Sequence, residues 1–219
     1  MTISKVSLIL KTVFFNKMIR NWLSPSPLLY GARKPSGVIR LVIGLGNPDR
    51  EHQNTYHNAG AMFVDYLSSS LGGGSFKPTR NFDYSKIGKL ALVKPRTYMN
   101  ESGAAVSAAM KYFSAKGGSA AGGKVAHKNI LIAHDDSDLA VGKFKLSVGQ
   151  RPAGHHGIES VVDALGTNDF ARLRIGVRPT KETVRKKAGD FVLKKVSLSD
   201  LRLLETTFEK AAEELQKLF

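Results

Sequence analysis

Apolar residues follow two rhythms along this chain. Short, nearly unbroken runs occur in "IRLVIGL" (39–45), "NILIAHDD" (129–136) and "ARLRIGV" (171–177), rich in Leu and β-branched residues. Such runs predict buried strands, because a strand covered on both faces has no polar side. "GKFKLSV" (142–148) alternates and predicts another strand, and "SKIGKLALVKP" (85–95) predicts two short strands or a hairpin. Elsewhere the spacing turns helical. Met62, Phe63, Tyr66, Leu67 and Leu71 predict a helix over 59–71, stopped by "GGG" at 72–74. Helices are also predicted over 100–113, with Asn100 at or near its start, over 157–166, and over 199–219, with Ser199 and Asp200 as plausible caps. Strands alternating with helices predict a single α/β domain, with a mixed, twisted central sheet covered by helices on both faces.

Two segments fall outside this pattern. Residues 114–128, "SAKGGSAAGGKVAHK", are low in complexity and predict a loop. Residues 1–37 begin with basic, apolar and hydroxyl side chains and continue as the Pro/Ser/Gly linker "SPSPLLYGARKPSG". They contain Lys5, Lys11, Lys17, Arg20, Arg33 and Lys34 and no acid, the make-up of a mitochondrial targeting segment. They are set apart from the fold, which is assigned to 38–219.

Composition narrows the chemistry. The chain has no cysteine, which excludes disulfides, thiolate metal sites and a Cys nucleophile. No apolar run approaches the roughly 18 residues that span a membrane, so no membrane insertion is expected. The 33 Lys and Arg against 18 Asp and Glu give +15, and the first 37 residues account for only +6 of it. The domain is therefore basic in its own right, which favours a polyanionic partner such as nucleic acid.

Three chemistries compete for the polar residues. Gly44-x-Gly46 after a strand suggests a dinucleotide turn, but Asn47-Pro48-Asp49-Arg50 interrupts it and the third glycine is missing. The acids of "AHDDSD" and the pair His155-His156 suggest a metal, yet adjacent histidines point apart and no H-x-H or H-E-x-x-H spacing is present. The third is general-base catalysis. A histidine takes a proton near neutral pH when an acceptor orients one ring nitrogen and donors face the oxygen that becomes negative. Asn47, His57, Asn100 and Asp135 sit after strands or at helix starts and supply that set.

The blocks "LVIGLGNP", "HNAGAMFVD", "KPRTYMNESGAAV", "ILIAHDDSDLAVGKFKL", "GHHGIESVVDALGTNDFARLRIGV" and "GDFVL" resemble, in order and near spacing over about 39–195, those of the bacterial-type peptidyl-tRNA hydrolases. The resemblance implies a metal-independent, cofactor-free and monomeric enzyme of one α/β domain that cleaves the ester between peptide and tRNA. It implies His57 as the base, Asp135 as its orienting carboxylate, and Asn47 and Asn100 as holders of substrate and water. Asn58, Met99, His156 and His52 then belong to substrate binding, and Lys143, Lys145 and Arg174 to the tRNA phosphates.

The chain departs from the family where "GHHG" replaces the usual "GHNG", so that His156 stands for an asparagine. His52 occupies a position often held by tyrosine, and Tyr56 one often held by arginine. These departures keep a second expectation open, an RNA-binding scaffold of the splicing-factor type that resembles the hydrolases without their activity.

Overall fold

The computed structural model describes residues 29–30, 33, 35, 37–115, 125–179, 189 and 191–219. Most of the basic N-terminal segment expected to be a targeting sequence and most of the Gly/Ala loop lie outside these residues. Eight strands form one sheet: β1 (Leu29–Tyr30), β2 (Leu41–Gly44), β3 (Lys77–Pro78), β4 (Phe82–Ile87), β5 (Leu90–Pro95), β6 (Ile130–Ala140), β7 (Phe144–Val148) and β8 (Ala171–Arg178). Their order across the sheet is β1-β7-β8-β6-β2-β5-β4-β3. The centre, β8-β6-β2-β5, is parallel, and antiparallel pairs β7–β8 and β4–β5 flank it.

Among the described residues four α-helices cover the sheet: α1 (Ala59–Ser70), α2 (Ser102–Ala115), α3 (His156–Leu165) and α4 (Leu198–Gln216). Strand alternation assigns the faces. Val42, Leu131, Leu173 and Ile175 pack with Phe63 and Leu67 of α1 and Leu204 and Phe208 of α4. Ile43, Ile130, Ile132 and Val93 pack with Val106 and Phe113 of α2 and Ile158 and Val161 of α3. Both faces are dry, which accounts for the unbroken apolar runs of the central strands.

Three expectations are amended. Leu29–Tyr30, inside the segment set apart from the fold, pair in parallel with Lys145 and Leu146 and lengthen the sheet by a strand. The cap of α4 is Ser197, whose Oγ accepts from Asp200 N at 3.1 Å, because Leu198 already has helical geometry. β6 extends past its apolar run to Ala140, with a register shift against β8 between Asp136 and Ala140. The 85–95 hairpin and the other helices and strands lie within a few residues of their predicted spans.

Glycine sets the height of α1 above the sheet. A Cβ on Gly60 would collide with the Ala133 carbonyl of β6, and one on Gly44 with the Gly60 carbonyl. Both glycines are therefore required for the start of α1 to rest on β2 and β6. That contact places Tyr56–Asn58, a 3-10 turn just before α1, at the carboxyl ends of the parallel strands, where open α/β sheets collect their ligands.

Candidate active site

His57 sits in that 3-10 turn, its backbone N–H held by the Val192 carbonyl at 2.8 Å. Asp135 comes from β6, where the strand passes beneath the turn. His57 Nδ1 donates to Asp135 Oδ1 at 2.9 Å, leaving Nε2 as the free ring nitrogen. A second imidazole shares that oxygen, since His155 Nε2 donates to Asp135 Oδ1, also at 2.9 Å. His155 is the N-cap of α3, and its Nδ1 accepts from Ile158 N at 3.3 Å, which fixes Nε2 as the protonated nitrogen.

Electrostatics follows from this geometry. The Asp135 side chain is only 4% exposed. Burial by itself pushes its carboxyl up, but His155 and His57 beside it win, and it stays well below the usual carboxylate range. Burial pushes the His57 imidazolium down, and the Asp135 charge and hydrogen bond more than offset this, so the net displacement is upward. His134, fully buried next door, is pushed well below an ordinary histidine by burial, His155 and Arg172. It is a neutral ring whose Nδ1–H donates to the Asp135 carbonyl at 2.7 Å.

A cleft of about 370 Å³ opens over these groups, lined among others by His57, Asp135, His155, His156, Arg172 and Arg174. Its cationic wall comes from strand pairing. His134 and Lys145 both lie opposite Arg174, and Ser147 lies opposite Arg172, so these side chains share one sheet face. Arg174 Nε donates to Asp136 Oδ2 at 2.5 Å, and both are largely buried. Arg172 is fully buried, and desolvation followed by the neighbouring Arg174 pulls its guanidinium down to about 10. Among the described residues His134 Nε2, Ser147 Oγ and Arg172 Nε have no hydrogen-bond partner.

Some expected site residues do not line this cleft. Asn58 is buried, and its side chain pairs with the backbone of Asn47: Nδ2 donates to Asn47 O and Oδ1 accepts from Asn47 N, each at 2.9 Å. Both bonds tie the Asn47 loop to the start of α1. Met99 is buried in the α2–α3 core against Ser102 and Gly157. Its backbone N–H donates to Asn47 Oδ1 at 2.8 Å, which turns the Asn47 Nδ2 donors outward from that bond. Asn100 is exposed in a 3-10 turn after β5. His52 bonds Asp49 at 2.6 Å within the 49–54 turns. Lys143 is exposed just before β7, and Lys145 is half-buried within it.

Sequence reasoning placed His156 at the substrate and gave His155 no role beside Asp135. His156 is exposed at the first position of α3 while His155 turns inward. The signal was present, since a residue just outside a helix start and the one just inside it point apart. The dinucleotide reading is set aside by the structure too. After Gly46 the chain enters turns and reaches no helix until Tyr56.

An α/β sheet carrying a histidine–carboxylate pair at the ends of its parallel strands, with arginines along one wall, defines a general-base hydrolase centre that favours anionic substrates. Comparison with known proteins is specific: residues 41–219 match the model of the peptidyl-tRNA hydrolase family, and the chain belongs to that family. It is 37% identical over 186 residues to a peptidyl-tRNA hydrolase of Desulfotalea psychrophila, covering 82% of this chain and 89% of that one. The Mycobacterium tuberculosis enzyme is 38% identical over 184 residues, covering 81% and 90%. Among solved structures, the peptidyl-tRNA hydrolase of Acinetobacter baumannii superposes with a TM-score of 0.70 at 29% identity, covering 86% of this chain and 91% of that one.

Proposed function

We propose that this protein hydrolyses the ester between peptide and tRNA in peptidyl-tRNA, with His57 as the base. The observation that carries the reading is the 2.9 Å bond from His57 Nδ1 to a buried, ionised Asp135. With Nδ1 committed to the carboxylate, Nε2 holds the lone pair that removes a proton from water. The water oxygen adds to the ester carbonyl, the bond to the ribose oxygen breaks, and the proton on His57 passes to that oxygen. Asp135 stabilises the imidazolium formed in between. Asn47, tied to the residue after His57 through Asn58, offers its Nδ2 donors to the carbonyl oxygen as it becomes negative. An exposed Asn100 supports a role toward the substrate after it binds.

Lys143, Lys145 and Arg174 support tRNA binding along the β7–β8 edge of the cleft, and the +15 charge supports steering of a polyanion. Recovery of tRNA from stalled synthesis is the cellular role this chemistry serves. The acid-free, basic composition of residues 1–37 supports delivery to mitochondria. The complete histidine–carboxylate pair weighs against a scaffold that has lost activity.

The test is release of labelled peptide from an N-blocked aminoacyl-tRNA, with EDTA present and His57→Ala in parallel. Release that ignores the chelator and falls by about 10²–10⁴-fold in the variant is expected. Tight tRNA binding without release by the folded wild-type protein would overturn the reading.

A further inference from the structure

Two imidazoles meeting on one carboxylate oxygen make a donor set with a second use. One ligand atom from each of His57, His155 and Asp135 lies within 4.8 Å of the others, and the three residues come from separate parts of the fold. We propose that this trio binds a divalent cation of the zinc class, and that the bound ion inhibits hydrolysis. The inhibitory half rests on His57 being the base; the binding half does not.

Ligand chemistry selects the ion. Two imidazoles and one carboxylate suit Zn²⁺ or Co²⁺, whereas Mg²⁺ and Ca²⁺ favour all-oxygen shells with several waters. The set is already assembled: each nitrogen stands 2.9 Å from the shared oxygen. Metal bonds of about 2.0–2.2 Å reach donors spaced that way with small side-chain rotations. The charge of nearby Arg174 is matched by Asp136, with Nε 2.5 Å from the carboxylate.

The ring protons have somewhere to go. To ligate through Nε2, His155 must carry its proton on Nδ1, which now accepts weakly from Ile158 N at 3.3 Å. Ile158 N also donates to the His155 carbonyl at 2.9 Å, so it keeps a partner when Nδ1 is protonated. For His57, metal on Nδ1 moves the ring proton to Nε2. The lone pair needed to deprotonate water is then gone, and Asp135 no longer orients the ring. A third imidazole adjoins the trio: His134 packs edge-on against His155 with ring centroids 4.7 Å apart. Its Nε2 has no partner among the described residues and stands as a spare electron-pair donor.

The experiment titrates Co²⁺ into the full-length protein, follows the visible bands of four- or five-coordinate Co²⁺, and displaces it with Zn²⁺. In parallel, peptide release is measured against Zn²⁺ at fixed Mg²⁺. One ion per chain is expected, with Zn²⁺ lowering turnover and EDTA restoring it. His155→Ala and His155→Asn should each weaken Co²⁺ by at least about tenfold, given that even loss of an outer partner of a ligand costs 10- to 100-fold. His156→Ala, which alters the exposed neighbour, should bind Co²⁺ as the wild type does. Absence of the Co²⁺ bands, or bands indifferent to both His155 variants and to His57→Ala, would overturn the site. Zn²⁺ bound at the trio with turnover unchanged or raised would overturn the inhibition. A protein that shows the bands and releases no peptide without metal refutes the proposed hydrolase activity and keeps the site.

Discussion

His57 and His155 donate to the same oxygen of Asp135, each across 2.9 Å, with their ring centroids 5.2 Å apart. The carboxylate is thus shared between the ring that faces water and the ring that caps α3. This arrangement sets the pH behaviour. Burial disfavours charged His57, and Asp135 reverses the sign, so the folded protein titrates this group above the ordinary 6.5. Only neutral His57 accepts a proton. Turnover should therefore be full above that raised value and fall as pH drops through it. Asp135→Asn removes the raising influence and leaves burial, so the acidic limb of kcat/KM should move below 6.5 while kcat falls. A limb that stays put in Asp135→Asn would assign it to another group.

His155 is a positioning residue in this scheme. Its N–H steadies Asp135 and draws off part of the carboxylate's charge density from His57. His155→Phe should lower kcat by roughly tenfold, about the value of one buried hydrogen bond to a charged group. The freed carboxylate should hold the His57 proton more tightly and move the acidic limb upward. His155→Gln keeps an N–H donor and should recover most of the loss. A purely structural role would lower kcat in both variants without moving the limb.

How much of this was legible from residue order differs between fold and site. The central strands were readable because both faces are apolar, and helical spacing marked α1 and α4. His57 and Asp135 were readable because one opens a recognisable block and the other lies within one. The rest required register. Nothing in the local sequence says that β8 places Arg172 and Arg174 beside His134 and Asp136, since that depends on which strand pairs with which. Asn58 and Met99 also hold the Asn47 loop, Asn58 through its side chain and Met99 through its backbone N–H, which residue type alone does not show. His155 and His156 were separable only once the first turn of α3 was fixed.

Register also separates the two candidate tRNA contacts on β7 and β8. Lys145 lies opposite Arg174, yet only Arg174 has an acid within hydrogen-bond distance among the contacts described, Asp136 at 2.5 Å. Lys145→Ala should reduce the slope of log affinity against log salt by roughly 1. Arg174→Ala should change that slope less and strip the counter-charge from Asp136, which is 8% exposed. Breaking a buried pair costs about 3–5 kcal/mol, enough to lower Tm by roughly 6–20 °C in a domain of this size. Filter binding across salt and thermal denaturation of both variants check this. Equal slopes with equal Tm would mean that the two cations are interchangeable.

The height of α1 provides the last test, because His57 is carried on the turn that α1 pins down. At Gly60 a Cβ would meet the Ala133 carbonyl in β6 and, at 2.8 Å, the Leu45 amide just past β2, both backbone groups. Gly60→Ala gains about 1 kcal/mol of helix propensity. The overlap outweighs that gain, since backbone cannot rotate away and overpacking costs about 1–3 kcal/mol or more. The helix must lift, and His57 lifts with it from Asp135. Tm and kcat should therefore fall together, with kcat down by about 10²-fold, as expected for an ångström-scale misplacement. Gly74→Ala is the matched control, because a Cβ there meets no atom within 4 Å. It should leave both quantities near the wild type. A Gly60→Ala protein with lowered Tm and unchanged kcat would separate the base from the helix contact and require another element to hold His57 in place.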